Sequence, residues 1–74
     1  MDKETLKLLL PFVNSDLYQS VVNYVDIRIN LLYKDLESAS IDRVPYIQGQ
    51  IKELRSIQKL KEKVNSDLRN YKDG

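Results

Sequence analysis

The sequence predicts an all-α protein, an antiparallel helical hairpin with a short N-terminal helix, and three observations support this fold class. Hydrophobic residues make up 42% and charged residues 31% of the 74 residues, which is typical of a globular or coiled-coil chain. Only two glycines and two prolines interrupt it. Apolar residues recur at helical spacings of three and four along most of its length. We therefore expect a single domain over residues 1–74, with helices at about 3–10, 15–37 and 43–70.

The first predicted helix is short and reaches a proline. Asp2 can cap it, because an aspartate side chain accepts hydrogen bonds from the free N–H groups of a first turn. Pro11 lacks the N–H that a helix interior needs, so the helix should end or kink there. So short a helix is not stable alone, and we expect it to pack against one end of the core.

The second predicted helix starts at the signal Asn14-Ser15-Asp16 and carries two neighbouring apolar rows. Together the rows cover a face of roughly 180°, which is more than one helical partner covers. The second row therefore requires either the first helix or another subunit. The seam row, spaced by 4, 3, 4, 3 and 4, is Tyr18, Val22, Val25, Ile29, Leu32 and Leu36. The second row is Leu17, Val21, Tyr24 and Leu31.

The third predicted helix changes its apolar phase halfway along. Its first half repeats at spacings of 3, 4 and 3, can be capped by Asp42, and faces the second helix in the hairpin. The second stripe is turned by roughly 100° from the first. Either the helix bends near Gln58, or its distal half faces a different chain, and we expect the second. The first stripe is Val44, Ile47, Ile51 and Leu54, and the second is Ile57, Leu60, Val64, Leu68 and Tyr71.

A pentapeptide occurs twice in the chain. Val13-Asn14-Ser15-Asp16-Leu17 recurs as Val64-Asn65-Ser66-Asp67-Leu68, but the flanking residues do not match. We therefore do not interpret it as a duplication. The second copy is a candidate position for a local break in the third helix, on the basis of this single local signal.

Residue types that carry chemistry are scarce. The chain has no Cys and no His, which excludes disulfides, Cys- or His-based zinc sites and Ser-His or Cys-His nucleophiles. Two glycines cannot form a phosphate-binding loop, and the acidic residues are scattered singly. We expect no catalytic residue, no metal, no cofactor and no small-molecule substrate.

The charge distribution favours neither nucleic acid nor membrane. The net charge is +1, with five Lys/Arg against seven Asp/Glu in residues 1–51 and seven against four in residues 52–74. Glu53 and Glu62 interrupt the basic row of Lys52, Arg55, Lys59 and Lys63, so a solvated face is the better interpretation and we do not expect nucleic-acid binding. No signal peptide or 20-residue apolar run is visible, and we expect a cytoplasmic protein.

Arg28 and Gly49 stand out from their surroundings. Arg28 falls within the apolar face of the second helix, where it either reaches the edge or pairs internally, for example with Glu53, or forms an intersubunit salt bridge. Gly49 lies within a helical pattern, where it costs about 1 kcal/mol relative to Ala. It is either a tolerated surface glycine or a point of close approach to another backbone.

These features predict that the chain binds copies of itself, another protein, or both. A small chain without disulfides or metal commonly needs a partner chain for stability. The candidate interface residues are Leu17, Val21, Tyr24, Arg28, Leu31, Gly49, Ile57, Leu60, Val64 and Leu68.

The segment Val44–Arg55, with Ile47-Gln48-Gly49-Gln50-Ile51 at its centre, resembles a pattern in small uncharacterised helical proteins of tailed bacteriophages. The resemblance covers residues 5–64 and departs at Pro45 and after Leu60. It implies an accessory or virion-assembly role in the host cytoplasm or the virion, and it supplies no site residues. The alternatives are a module that docks on and modulates a host or partner protein and, further off, a weak nucleic-acid binder.

Overall fold

The structure is a computed structural model that describes residues 1–71, and its regular elements in this range are four α-helices. They are α1 (Lys3–Val13), α2 (Asp16–Ser38), α3 (Val44–Gln58) and α4 (Leu60–Tyr71). The prediction of an all-helical fold is confirmed. Within residues 1–71, none of the helices combines the length and the hydrophobicity that crossing a bilayer requires.

α1 is longer than predicted, because it passes through Pro11 and continues to Val13. The expected end near residue 10 is therefore wrong. Val13 is buried and Phe12 packs beside it, so the burial of these side chains outweighs the backbone hydrogen bond that Pro11 cannot form. At the other end, the Asp2 carboxylate accepts a hydrogen bond from the Thr5 N–H at 2.7 Å, as the sequence predicts.

Ser15 joins α1 to α2. Its hydroxyl accepts a hydrogen bond from the Tyr18 N–H at 3.2 Å and donates one to the Phe12 carbonyl at 2.5 Å. One side chain therefore caps the start of α2 and also satisfies a carbonyl at the end of α1.

α2 and α3 pack side by side around a cluster that we call the α2–α3 cluster. Hydrogen bonds join Tyr33 to Arg55 and Gln58 to Val22, so the two helices run in opposite directions. α3 begins after Arg43 rather than after the expected cap Asp42, with Pro45 in its first turn. The buried members of the cluster are Val25, Ile29, Leu32, Ile47 and Ile51.

The third predicted helix is two helices, with a break at Lys59. The expectation that its distal half faces another chain is wrong, because α4 turns away and packs on α1. The Tyr18 hydroxyl lies at the break, where it donates to the Ile57 carbonyl at 2.7 Å and accepts from the Lys61 N–H at 3.4 Å. It thereby satisfies backbone groups that the break leaves without helical partners.

The other end of the molecule is held by a second cluster, which we call the α1–α4 cluster. Its buried members are Leu6, Val13, Tyr18 and Val64. The Tyr18 ring packs edge-on against Phe12, with ring centroids 5.4 Å apart and an interplanar angle of 73°. α4 runs unbroken through Val64–Leu68, so the second pentapeptide copy does not mark a break.

The chain is elongated and thin. Its Cα extents are 49 × 26 × 14 Å and its radius of gyration is 15.6 Å, whereas a compact chain of this length has a radius of about 11 Å. Its accessible surface is 5824 Å², against about 4,700 Å² for a typical folded monomer of this size. The fold thus exposes on the order of 1,000 Å² more than a compact monomer does.

Candidate interaction surface

A stripe of exposed apolar side chains runs along α2, and we call it the α2 stripe. Leu17, Tyr24 and Leu31 are 67%, 60% and 53% exposed. They alternate with Val21 and Arg28 at spacings of 4, 3, 4 and 3, so all five lie on one side of the helix. At 100° per residue, this side is turned by roughly 90° from the side that packs on α3. Val21 is half-buried and packs against the α2–α3 cluster, whereas the other four side chains are left exposed.

The reverse side of α2 is polar. Gln19, Asn23, Asp26 and Asn30 are all exposed there, and Gln19 donates a hydrogen bond to Asn23 at 3.1 Å. Four apolar side chains of α2 are more than half exposed: Leu17, Tyr24 and Leu31 share the stripe, and Ile27 lies between the stripe and the polar side. Single exposed leucines are ordinary, but a contiguous apolar stripe bounded by polar residues is typical of an interaction surface.

Arg28 is exposed and forms no ion pair with any residue in the described range. It lies at an open groove between α2 and α3, whose other lining residues include Tyr46, Gly49, Glu53 and Leu54. Glu53 therefore shares the groove with Arg28, as the antiparallel pairing predicts, without closing a salt bridge. Of the three interpretations of Arg28, the intrachain ion pair is not formed among the described residues, the exposed side chain agrees with a position at the edge of the apolar face, and the intersubunit salt bridge stays a prediction.

Gly49 is not a point of close approach within the chain. It is exposed, and a Cβ added there would meet nothing within 4 Å. The helix therefore tolerates this glycine at a cost of about 1 kcal/mol without any intrachain packing that explains it.

Val64 was predicted at the interface, and this is wrong because the side chain is 0% exposed in the α1–α4 cluster. Leu60 and Leu68 are half-buried and pack against the same cluster, so they are mainly core residues. Ile57 is 39% exposed, because the break at Lys59 leaves it at the edge of the packed surface. The second stripe of the third predicted helix therefore packs largely on α1.

Another open groove lies between α1 and α4. Leu10 and Leu68 form its apolar floor, and Lys3, Glu62 and Arg69 lie at its margins. Leu8 projects from the neighbouring side of α1 and is 77% exposed. This second surface is edged by charges of both signs.

The basic row predicted on the third helix is divided by the break. Arg55 donates a hydrogen bond to the Tyr33 hydroxyl, and its guanidinium carbon lies 5.8 Å from the Tyr33 ring centroid. Lys63 pairs with Asp67 at 3.2 Å on α4. These two cations are therefore engaged within the chain, on different helices, and do not form one continuous stripe.

Three carboxylates have pKa values below the usual value of 3.8, each for a local reason. A hydrogen bond from the Thr5 backbone lowers the pKa of Asp2, and one from the Ser40 side chain lowers that of Asp42. The Lys63 ammonium lowers the pKa of Asp67. All three are stabilised as carboxylates, and none is shifted toward the neutral range that a general acid or base needs.

No cluster of three or more acidic side chains suited to a metal ion occurs between Met1 and Tyr71. The unusual feature of the surface is instead its exposed apolar side chains. They include the α2 stripe and also Tyr46 and Ile27, which the sequence analysis did not select. Tyr46 shares the groove with Arg28, and the antiparallel pairing could have placed it there. The role of the Tyr18 hydroxyl was missed because its partners are backbone groups at the helix break. No Gly or Pro in the sequence indicates that break.

The comparisons with known proteins bring no further identification. Protein-family models, curated proteins and solved structures all give no match to this chain.

Proposed function

We propose that this chain is a non-enzymatic, self-associating helical protein that acts in assembly through protein–protein contacts. The observation that carries the proposal is the surplus of accessible surface, on the order of 1,000 Å² beyond that of a compact monomer. A standard protein interface buries about 800 Å² on each partner. The surplus is therefore of the same order as the area that one copy contributes to a stable contact.

The distribution of the surplus supports the same proposal. Three of the exposed large apolar side chains, Leu17, Tyr24 and Leu31, lie together on the α2 stripe, while others such as Leu8 and Ile41 are exposed elsewhere. Burying apolar surface contributes about 25 cal/mol for each Å², so an open stripe of this kind favours association. Only nine side chains are buried in the described range, which leaves the isolated chain with a thin core.

An assembly role in a phage particle or in the host cytoplasm follows from the sequence resemblance around Gly49-Gln50-Ile51. The docking alternative needed an exposed stripe from Leu60 to Tyr71 for a host or partner protein. The aliphatic residues of that stripe pack on α1, so the surface left for a partner there is the open groove between α1 and α4. Nucleic-acid binding has less support still, since the basic row is divided between two helices.

The proposal is tested by measuring the melting temperature at several protein concentrations. Association stabilises the folded chain by mass action, so the melting temperature and the helical circular dichroism should both rise with concentration. Lys34→Ala, a change at an exposed position outside the stripe, should melt like the unmodified chain at every concentration. A melting temperature that stays constant over a thousandfold range of concentration would contradict self-association.

A further inference from the structure

We propose that two copies pair through the α2 stripe, with their α2 helices antiparallel and Arg28 of each copy over the Tyr24 ring of the other. The proposal rests on the self-association proposed above and names its geometry. The occupant of the stripe is thus a second copy of this chain.

The spacing makes the part of the stripe from Val21 to Leu31 self-complementary. Repeats of 4 and 3 are the pattern of a coiled-coil seam, and in an antiparallel pair the two kinds of seam position face each other. The register that places Val21 opposite Leu31 of the second copy also places Tyr24 opposite Arg28. A two-fold axis repeats both contacts, so one stripe serves both partners.

The charges in the stripe fit this register. Facing Arg28 residues would be offset by four residues, about 6 Å along the axis, on helices about 9 Å apart. The two guanidinium groups therefore avoid each other, and each meets an aromatic face, which attracts a cation. Glu53, on the same groove as Arg28, places a carboxylate beside the contact.

A second Arg–Tyr pair in the chain provides an internal comparison. On the other side of the α2–α3 pair, Tyr33 and Arg55 satisfy each other within the chain. Tyr24 and Arg28, four residues apart on the open side, make no such contact in the described range. One side of the α2–α3 pair is closed by its own residues, and the other presents both members of the pair outward. Tyr and Arg are also the residues most enriched where interfaces carry their binding energy.

The register can be tested by oxidative cross-linking, since the chain has no native cysteine. Val21→Cys and Leu31→Cys are made as separate variants, checked for helicity by circular dichroism, and oxidised alone and as a mixture. In the proposed register the mixture forms a disulfide between the two variants. Each variant alone stays unlinked, because its own copies lie about 15 Å apart along the axis, beyond the roughly 7 Å that a disulfide spans.

A matched control uses Asn23→Cys mixed with Asn30→Cys. In the proposed register these two residues of different copies lie at nearly the same height along the helix axis, as Val21 and Leu31 do, but on the polar side of α2. This mixture should remain unlinked. Self-linking of Val21→Cys would show a parallel pair, and equal linking of the control would show random collision, so either result overturns the proposal. Sedimentation of the unoxidised chain distinguishes failure of this dimer geometry from failure of self-association itself. A dimer without the mixed disulfide overturns this geometry alone, whereas a chain that remains a single copy overturns self-association as well.

The contact itself is tested by substitution. Arg28→Ala and Tyr24→Ala should each weaken dimerisation tenfold or more, while Lys34→Ala should change it less than twofold. The double variant should be little weaker than either single one, because both remove the same contact. Fully multiplicative effects of the two substitutions would show that the residues do not meet across the interface.

Discussion

The two hydrophobic clusters of this chain differ in how far apart their members lie in the sequence. The α2–α3 cluster joins consecutive helices, so residues 25–32 meet residues 47–51 across one turn. The α1–α4 cluster brings Leu6 to Val64, near opposite ends of the described range. The first closes a short loop and is entirely aliphatic, whereas the second closes a long one and includes the polar hydroxyl of Tyr18.

This difference indicates that the two ends of the molecule have different stability. Contacts between consecutive helices cost less chain entropy than contacts between distant ones. The α1–α4 cluster also depends on the break at Lys59, because a continuous third helix would carry Val64 away from α1. We therefore expect α1 and α4 to open before α2 and α3. The first of the four predictions below tests that order, and the other three test single contacts of α1, α2 and α4.

The largest effect should come from truncating the core of the less stable end. Leu6→Ala removes a side chain that is 0% exposed and should cost about 3 kcal/mol. Leu8→Ala, two positions later and 77% exposed, should change stability by less than about 0.5 kcal/mol. Chemical denaturation gives both values. Amide exchange on the Leu6→Ala variant should show loss of protection in α1 and α4 first, and simultaneous loss in α3 would contradict independent opening.

The hydroxyl at the helix break is the next target. Tyr18→Phe keeps the ring against Phe12 but leaves the Ile57 carbonyl and the Lys61 N–H without this partner, at a cost of about 1–2 kcal/mol. Tyr46→Phe removes an exposed hydroxyl that forms no hydrogen bond with a described side chain or backbone group, and should be neutral. Equal melting temperatures for the two variants would show that the hydroxyl does not stabilise the break.

The repeated pentapeptide provides a matched pair of smaller effects. Ser15 caps α2, so Ser15→Ala should cost about 1 kcal/mol. Ser66 occupies the same place in the second copy but lies within α4, so Ser66→Ala should be neutral or slightly stabilising, as Ala is the better helix former. Thermal melts of the two variants compare the same residue in two settings. A destabilisation of equal size at both positions would argue against the cap.

The smallest effect concerns acid pH. Because Lys63 and the amino terminus lower the pKa of Asp67 in the folded chain, folding is favoured by this carboxylate above the unfolded value of 3.8. That contribution is lost as the pH falls through the lower, folded-state pKa. Melts between neutral pH and pH 3 should show the loss, and Asp67→Asn should reduce its size. Asp26→Asn serves as the control, because Asp26 is exposed and forms no ion pair among the described residues. If Asp67→Asn lost as much stability in acid as the unmodified chain does, Asp67 would not be the source of the loss.

The sequence predicts the α2–α3 cluster well because helical periodicity alone identifies its members. Val25, Ile29 and Leu32 lie in one seam row, and Ile47 and Ile51 in the facing one. The α2 stripe was likewise visible as a surplus row: Leu17, Tyr24, Arg28 and Leu31 are exposed, and Val21 alone is half-buried against the α2–α3 cluster.

The α1–α4 cluster was missed because its formation depends on tertiary contacts. The phase change after Leu54 was visible, but Gln58 and Lys59 carry no local signal that the helix breaks rather than continues. Pro11 gave the opposite error, since burial of Val13 carries α1 past a residue that disfavours helix. The same five letters begin a helix at Ser15 and lie inside one at Ser66, so packing and not local sequence decides between them.

The central claim is that this chain leaves apolar helix surface open and that a second copy covers it. Sedimentation equilibrium over a wide range of concentration tests this claim most directly. We predict a reversible rise in mass from one copy to two as concentration increases, weakened by Arg28→Ala and unchanged by Lys34→Ala. A single-copy mass at every concentration would contradict the claim.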